Sequence, residues 1–109
     1  MKFIFTIFLM CLVLTISVKS YSADYTISSI CMLQTSDNGR AYLSPCEGWT
    51  SKNSCSNGWI TWDIKTDSGK LMYSNALTAF ASDKRITVRM NGSSCAGYDV
   101  TNMIRILKN

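Results

Sequence analysis

The 109-residue chain contains no histidine. Histidine is the commonest general base in enzymes and the usual partner of a nucleophilic serine or cysteine, so its absence excludes those mechanisms. Asp63 and Asp67 flank a strand-to-helix turn where helix capping is the expected role, and the other acidic residues fall in predicted termini and loops. We find no carboxylate pair of the glycosidase type. The sequence therefore predicts a protein that is not an enzyme.

Motifs for metals, phosphates and nucleic acids are also missing. The cysteines are never separated by only two residues, and without histidine the chain has no zinc-binding pattern. Gly92 and Gly97 do not form a phosphate-binding loop. The basic residues are dispersed except for Lys84 and Arg85, which does not match a nucleic-acid footprint. We therefore expect no metal, no cofactor and no nucleic-acid partner.

Residues 1–22 have the pattern of a secretory signal peptide. Lys2 supplies a positive start, residues 3–18 are almost wholly apolar, and residues 20–22 (Ser-Tyr-Ser) place small side chains at the cleavage positions. The apolar run is shorter than the ~20 residues that span a bilayer, which favours a cleaved signal over a retained anchor. We expect cleavage after Ser22, or after Ala23, and a secreted or periplasmic protein with no membrane span once the signal is removed.

Residues 23–109 form a single predicted domain that is stabilised by disulfides. A chain of this length has a thin hydrophobic core, and small exported domains are usually cross-linked. Four cysteines follow the signal: Cys31, Cys46, Cys55 and Cys95. The strand positions given below favour Cys31–Cys46 and Cys55–Cys95, while Cys31–Cys95 with Cys46–Cys55 remains open.

The hydrophobic pattern predicts three strands, one helix and two further strands. Alternating apolar and polar residues indicate strands at 25–33, 40–44, 59–64, 85–90 and 100–107, with loops at 46–58 and 91–97. Residues 67–82 have apolar side chains at helical spacing, and Thr66, Asp67 or Ser68 can cap the start. This order is that of a mainly β, five-stranded OB-fold-like barrel, although a generic α+β sandwich shares it.

Aromatic residues in polar surroundings indicate a binding role. Trp49 lies in a predicted loop rich in Ser, Asn and Gly, a setting typical of carbohydrate sites, where a ring packs on the sugar face. The alternative is that Trp49 covers one end of the barrel, and Trp59 and Trp62 are expected in the core. The candidate ligand-binding residues are therefore Trp49 together with Arg40, suited to an acidic sugar, and Tyr42.

The second half of the chain has a helical segment at 70–82, a strand at 84–90, a cysteine-containing loop and a strand at 100–106. This succession resembles the B subunits of bacterial AB-type toxins, in particular the pertussis-like, subtilase-cytotoxin-like and type II heat-labile enterotoxin groups. The region 55–107 also resembles small uncharacterised exported proteins of Gram-negative bacteria that share Cys-x-x-x-Trp, a helix and a late cysteine. The resemblance implies an OB-fold, a ring-shaped homopentamer, glycan binding on host cells and an enzymatic partner subunit. It assigns no ligand-binding residue.

We therefore expect a non-catalytic secreted binding protein, similar to a toxin B subunit, that recognises glycans or cell-surface ligands. The alternative is a periplasmic or secreted protein-binding module such as a hydrolase inhibitor. A loop fixed by disulfides between Cys46 and Cys55 would suit that second role.

Overall fold

The computed structural model describes residues 22–108, so all but the last residue of the predicted signal peptide lies outside the described residues. Ser22 and Ala23, the predicted cleavage positions, are the first residues of β1. The described chain is mainly β with one helix. Its elements are β1 (Ser22–Ile27), β2 (Ile30–Thr35), β3 (Arg40–Pro45), β4 (Ser56–Asp63), α1 (Asp67–Ser82), β5 (Ile86–Ala96) and β6 (Tyr98–Ile106).

The single strand predicted at 25–33 is two strands, β1 and β2, separated by a bend at Ser28 and Ser29. Glu47 accepts hydrogen bonds from the backbone N and Oγ of Ser28, both at 3.2 Å. Ser29 Oγ donates to Asp83 at the end of the helix, at 2.7 Å. Because the bend changes which residues face inward, the expectation of one continuous alternating strand is wrong.

The six strands form one sheet in the order β1-β5-β6-β4-β3-β2. All neighbouring pairs are antiparallel except β4 and β6, which are parallel. The two outer strands of this order, β1 and β2, are consecutive in the chain. The bend at residues 28–29 therefore connects one end of the sheet order to the other.

The last two strands are longer than the sequence predicts. β5 continues to Ala96, and β6 begins at Tyr98. The register of the pair shifts between Met90 and Cys95, and the chain turns at Gly97, which has a φ of 76°. Most of the loop predicted at 91–97 therefore belongs to a bulged hairpin. The prediction differs because residues that favour turns also occur in irregular strands.

The predicted helix is confirmed at residues 67–82. Thr66 caps its start, with Oγ1 accepting a hydrogen bond from Gly69 N at 3.0 Å. Gly69 is required by packing, since a Cβ there would lie 1.8 Å from the carbonyl oxygen of Asp63. Its own carbonyl accepts a hydrogen bond from Trp62 Nε1 at 3.0 Å. The first turn of the helix is therefore pressed directly onto the end of β4.

The hydrophobic core lies between the inward face of the sheet and the helix. Trp62 is among the largest fully buried side chains, as the sequence predicts. The remaining core residues are aliphatic or small: Ile27, Ile30, Ala41, Leu43, Ile60, Ala76, Ala79, Ile86, Val88, Met90 and Ile104. Ala76 and Ala79 on the helix allow it to approach the sheet closely.

Two disulfides cross-link the domain, and the favoured pairing is confirmed. Cys31–Cys46, here called the edge disulfide, joins β2 to the residue after β3 across a Cα–Cα distance of 4.7 Å. Cys55–Cys95, the loop disulfide, joins the start of β4 to the β5–β6 hairpin across 5.8 Å. The alternative pairing is wrong. Disulfides of this kind are typical of proteins that fold in an oxidising compartment.

Among residues 22–108, no helix has the length and apolar character needed to cross a bilayer.

Candidate ligand-binding groove and loop

Three aromatic rings meet on the outward face of the sheet. Alternation along β3 turns Ala41 and Leu43 into the core and Tyr42 outward. The ring of Tyr42 stands nearly perpendicular to that of Trp59, with centroids 6.4 Å apart, and to that of Tyr98, with centroids 6.1 Å apart. All three side chains are half-buried. Edge-to-face contacts of this kind hold aromatic rings in fixed orientations.

These rings line an open groove of about 270 Å³, here called the aromatic groove, formed by Gln34, Ser36, Tyr42, Trp59 and Tyr98. Gln34 and Ser36 are exposed and add an amide and a hydroxyl to its border. The groove therefore combines fixed apolar ring surfaces with groups that can donate and accept hydrogen bonds.

Arg40 and Tyr42 share this face and are oriented by Asn38. The side-chain amide of Asn38 donates to Tyr42 Oη at 2.8 Å, and its oxygen accepts from Arg40 N at 3.1 Å. Arg40 Nε donates to Thr61 Oγ1 at 3.1 Å. Within residues 22–108, the two terminal nitrogens of the Arg40 guanidinium have no hydrogen-bond partner and no carboxylate within 4.0 Å. Among the described residues, Arg40 is therefore a cation without a carboxylate partner, on the same face of β3 as Tyr42.

The expectation that Trp59 is a core residue is wrong. Trp59 and Trp62 are three residues apart on β4, so alternation directs them to opposite faces of the sheet. Trp62 occupies the inward face, and Trp59 is therefore part of the aromatic groove.

The loop between Cys46 and Cys55 is held by a single buried carboxylate. Asp99 is 0% exposed and accepts three hydrogen bonds from this loop. The donors are Trp49 Nε1 at 2.9 Å, Lys52 N at 2.7 Å and Ser51 Oγ at 2.6 Å. Ser51 Oγ in turn accepts from Cys55 N at 2.7 Å. The carboxylate therefore fixes both the backbone of the loop and the indole ring of Trp49.

Trp49 packs beside Tyr25, with ring centroids 5.7 Å apart and planes at 89°. The Nζ atom of Lys52 lies 4.9 Å from the centroid of the Trp49 ring and 5.1 Å from that of Tyr25. These residues line a second cavity of about 390 Å³, here called the loop pocket, together with Thr26, Glu47, Gly48 and Thr50. Trp49 is also partly buried and packs against the core.

The structure divides the predicted binding residues between two places. Tyr42 lines the aromatic groove and Arg40 lies on the same face of β3 without lining it, whereas Trp49 lines the loop pocket, and the two cavities share no lining residue. Tyr98 and Asp99 were not predicted as site residues from the sequence. Nothing in the local sequence distinguishes Asp99 from a surface acid, because its partners are about fifty residues away in the chain.

Outside the two cavities, the charged side chains either form ion pairs with one another or are dispersed. Arg89 Nε donates to Asp24 Oδ1 at 2.8 Å between β1 and β5. This hydrogen bond lowers the pKa of Asp24 and raises the pKa of Arg89. In the part of the chain that the structure describes, no three His, Cys, Asp or Glu side chains gather where they could hold a metal ion.

No protein-family model, curated protein or solved structure matches the chain. The resemblance to toxin B subunits therefore stays a prediction from the sequence.

Proposed function

We propose that this protein is a non-catalytic, secreted binding protein that recognises a glycan through the aromatic groove. The observation that supports this most directly is the fixed arrangement of Tyr42, Trp59 and Tyr98 on the outward face of the sheet. Ring faces pack well on the C–H surface of a sugar, and neighbouring amide and hydroxyl groups bind its hydroxyls. Gln34 and Ser36 supply such groups at the border.

We further propose that the sheet is a closed OB-fold-like barrel. Its two outer strands, β1 and β2, are joined by a two-residue bend and can be counted as halves of one strand. The order then returns to the strand from which it starts, which is the condition for closure. In OB-folds, the face of the second and third strands binds oligosaccharides and oligonucleotides. By this count those strands are β3 and β4, which contribute Tyr42 and Trp59.

Arg40 suggests the kind of sugar. It lies two residues before Tyr42 on the same face of β3, and both terminal nitrogens of its guanidinium are unpaired among the described residues. A guanidinium binds a carboxylate through two parallel hydrogen bonds. An acidic sugar is therefore the preferred ligand of the proposed site.

A glycan array probed with the oxidised protein tests this proposal. We expect binding to a defined set of glycans, and Trp59→Ala should weaken it about tenfold or more, because a stacking surface is lost. Phe80→Ala is the matched control, since Phe80 is an aromatic residue that is 43% exposed on the helix, outside the groove. An array without hits, or equal binding by both variants, would contradict the proposal.

The resemblance to toxin B subunits leads us to propose a ring-shaped homopentamer and an enzymatic partner subunit. Single sugar sites are weak, and several copies on one particle raise the apparent affinity without new contacts. The native mass of the oxidised protein in solution tests the assembly. A mass near five chains would agree with it, and a monomer would contradict it.

A protein ligand is the second candidate, and the ordered loop between Cys46 and Cys55 favours it. Three hydrogen bonds to Asp99 and a disulfide at each end hold the loop in one conformation. A preorganised loop loses little entropy when it binds. A protein partner that is lost with Thr50→Arg, at the exposed loop surface, and kept with Trp59→Ala would support this candidate over the first.

A further inference from the structure

The loop pocket already contains an ammonium group. The Nζ atom of Lys52 lies 4.9 Å from the centroid of the Trp49 ring and 5.1 Å from that of the Tyr25 ring. Both distances fall within the ~6 Å over which a cation is attracted to an aromatic face. The two rings are nearly perpendicular, with planes at 89°, so together they form a corner around the charge.

A carboxylate lines the same pocket. Glu47 is held in place by the backbone N and Oγ of Ser28, at 3.2 Å each. Two aromatic walls and a carboxylate are the components with which proteins bind organic cations. The pocket, at about 390 Å³, also lies within the ~300–1,000 Å³ range of small-molecule sites.

The walls of this pocket are fixed independently of the cation. Trp49 is anchored by its hydrogen bond to buried Asp99, and the backbone of Lys52 is anchored by the same carboxylate. The side chain of Lys52 is exposed and has a flexible four-carbon stem. The ammonium group of Lys52 can therefore leave while the loop keeps its conformation.

We propose that the loop pocket is a binding site for a quaternary ammonium group, and that the Lys52 side chain occupies it in the free protein. A primary ammonium is strongly hydrated and competes poorly for an aromatic surface. A trimethylammonium group has no N–H donors, and it interacts well with ring faces while keeping its positive charge near Glu47. Such a ligand displaces Lys52. This site is distinct from the aromatic groove and does not depend on its function.

Titration with choline chloride at constant ionic strength tests the proposal, followed through the indole N–H resonance of Trp49 in nitrogen–proton correlation NMR. We expect a saturable shift in the millimolar range. Lys52→Ala removes the competing ammonium and should tighten binding about threefold or more. Lys65→Ala is the matched control, because Lys65 is an exposed lysine outside the pocket and should leave the affinity unchanged.

A neutral isostere of choline, with carbon in place of nitrogen, separates cation recognition from simple apolar packing. It should bind at least about tenfold more weakly than choline, since only the charged form is attracted to the ring faces. Tyr25→Leu keeps an apolar side chain on β1 but removes one wall and should abolish the shift, while its unfolding curve shows that the domain is intact.

The source of the ammonium group is distinguished with vesicles. Sedimentation with phosphatidylcholine vesicles but not with phosphatidylglycerol vesicles would indicate a lipid headgroup, whereas choline binding without sedimentation would indicate a free small molecule. If Lys52→Ala gives no saturable shift with choline, or if the isostere binds equally well, the proposal is overturned and the Lys52 contact only stabilises the loop.

Discussion

Replacing Asp99 with asparagine should destabilise the protein by about 2 kcal/mol, although the two side chains have nearly the same shape. Asp99 accepts three hydrogen bonds through two oxygens, and both are buried. Asparagine has only one acceptor oxygen, which can still accept from Trp49 and from the backbone of Lys52. The amide nitrogen of the asparagine then faces Ser51 Oγ. It finds no acceptor there, because the lone pairs of Ser51 Oγ already accept from backbone N–H groups, including that of Cys55.

The size of this loss in stability follows from the hydrogen bond between Ser51 and Asp99, which asparagine cannot replace. A hydrogen bond to a charged group contributes about 1.5–3 kcal/mol, and a donor left without a partner in a buried place adds to the loss. Removal of a charge from the interior offsets part of this cost. For a domain of this size, a loss of about 2 kcal/mol corresponds to a fall in Tm of about 8–16 °C.

Urea and thermal unfolding of the oxidised protein, followed by circular dichroism, measure this loss. Asp37→Asn is the matched control, because Asp37 is exposed in the turn between β2 and β3 and should change stability by less than about 0.5 kcal/mol. The amide N–H of Lys52 should also exchange faster in the Asp99→Asn protein. Equal stability of the Asp99→Asn protein and the wild type, with an unchanged Trp49 indole resonance, would refute the assigned role of this carboxylate.

Three further predictions concern the helix start, an ion pair and the disulfides. Gly69→Ala should cost at least about 2–3 kcal/mol in urea unfolding, because its Cβ would overlap the Asp63 carbonyl, whereas Ser74→Ala on the exposed helix face should be nearly neutral. Arg89 lowers the pKa of Asp24 in the folded protein, so their ion pair stabilises the fold fully at pH values above the pKa that this carboxyl has in the unfolded chain. This stabilisation is lost as the pH falls through the lowered pKa of Asp24 in the folded protein. In Arg89→Gln, an NMR titration should show the pKa of Asp24 returning upward toward 3.8, and an unchanged pKa would contradict the assignment. Replacing both cysteines of the loop disulfide with serine should lower the free energy of unfolding by about 4 kcal/mol, against about 3 kcal/mol for the edge disulfide, because the loop disulfide closes a longer loop. A larger loss for the edge disulfide in urea unfolding would count against the loop-entropy account.

Elements defined by local patterns could be predicted from the sequence. The helix has a clear apolar periodicity and candidate capping residues at its start, so its limits at residues 67–82 could be placed from the local sequence pattern. Strand positions favoured the edge disulfide over the alternative pairing, since the turn near Asn38-Gly39 brings the ends of β2 and β3 together. The helix and the edge disulfide need only neighbours in the chain or in one hairpin, whereas the loop disulfide joins residues 40 positions apart.

Elements that depend on distant partners could not be predicted in this way. Alternation continues formally through residues 25–33, so the bend at Ser28 and Ser29 became visible only with Glu47 and Asp83 beside it. The predicted loop at 91–97 contains residues typical of turns, yet residues 91–96 belong to β5, where Asn91 pairs with β1 and Cys95 and Ala96 pair with β6.

The same distinction between local patterns and distant partners applies to the candidate binding sites. The sequence by itself determined that the chain has a cysteine-linked, mainly β domain with one helix, and that it is rich in aromatic residues in polar surroundings. Only the tertiary structure decided that Trp59 faces outward with Tyr42 and Tyr98, and that Trp49 lies in a different cavity. The physical reason is that residue type and spacing determine local periodicity, whereas a binding surface depends on which strands become neighbours. Asp99 is the clearest case. An aspartate is the same residue in the sequence whether it is buried or exposed, and only the fold determines which hydrogen-bond donors surround its carboxylate.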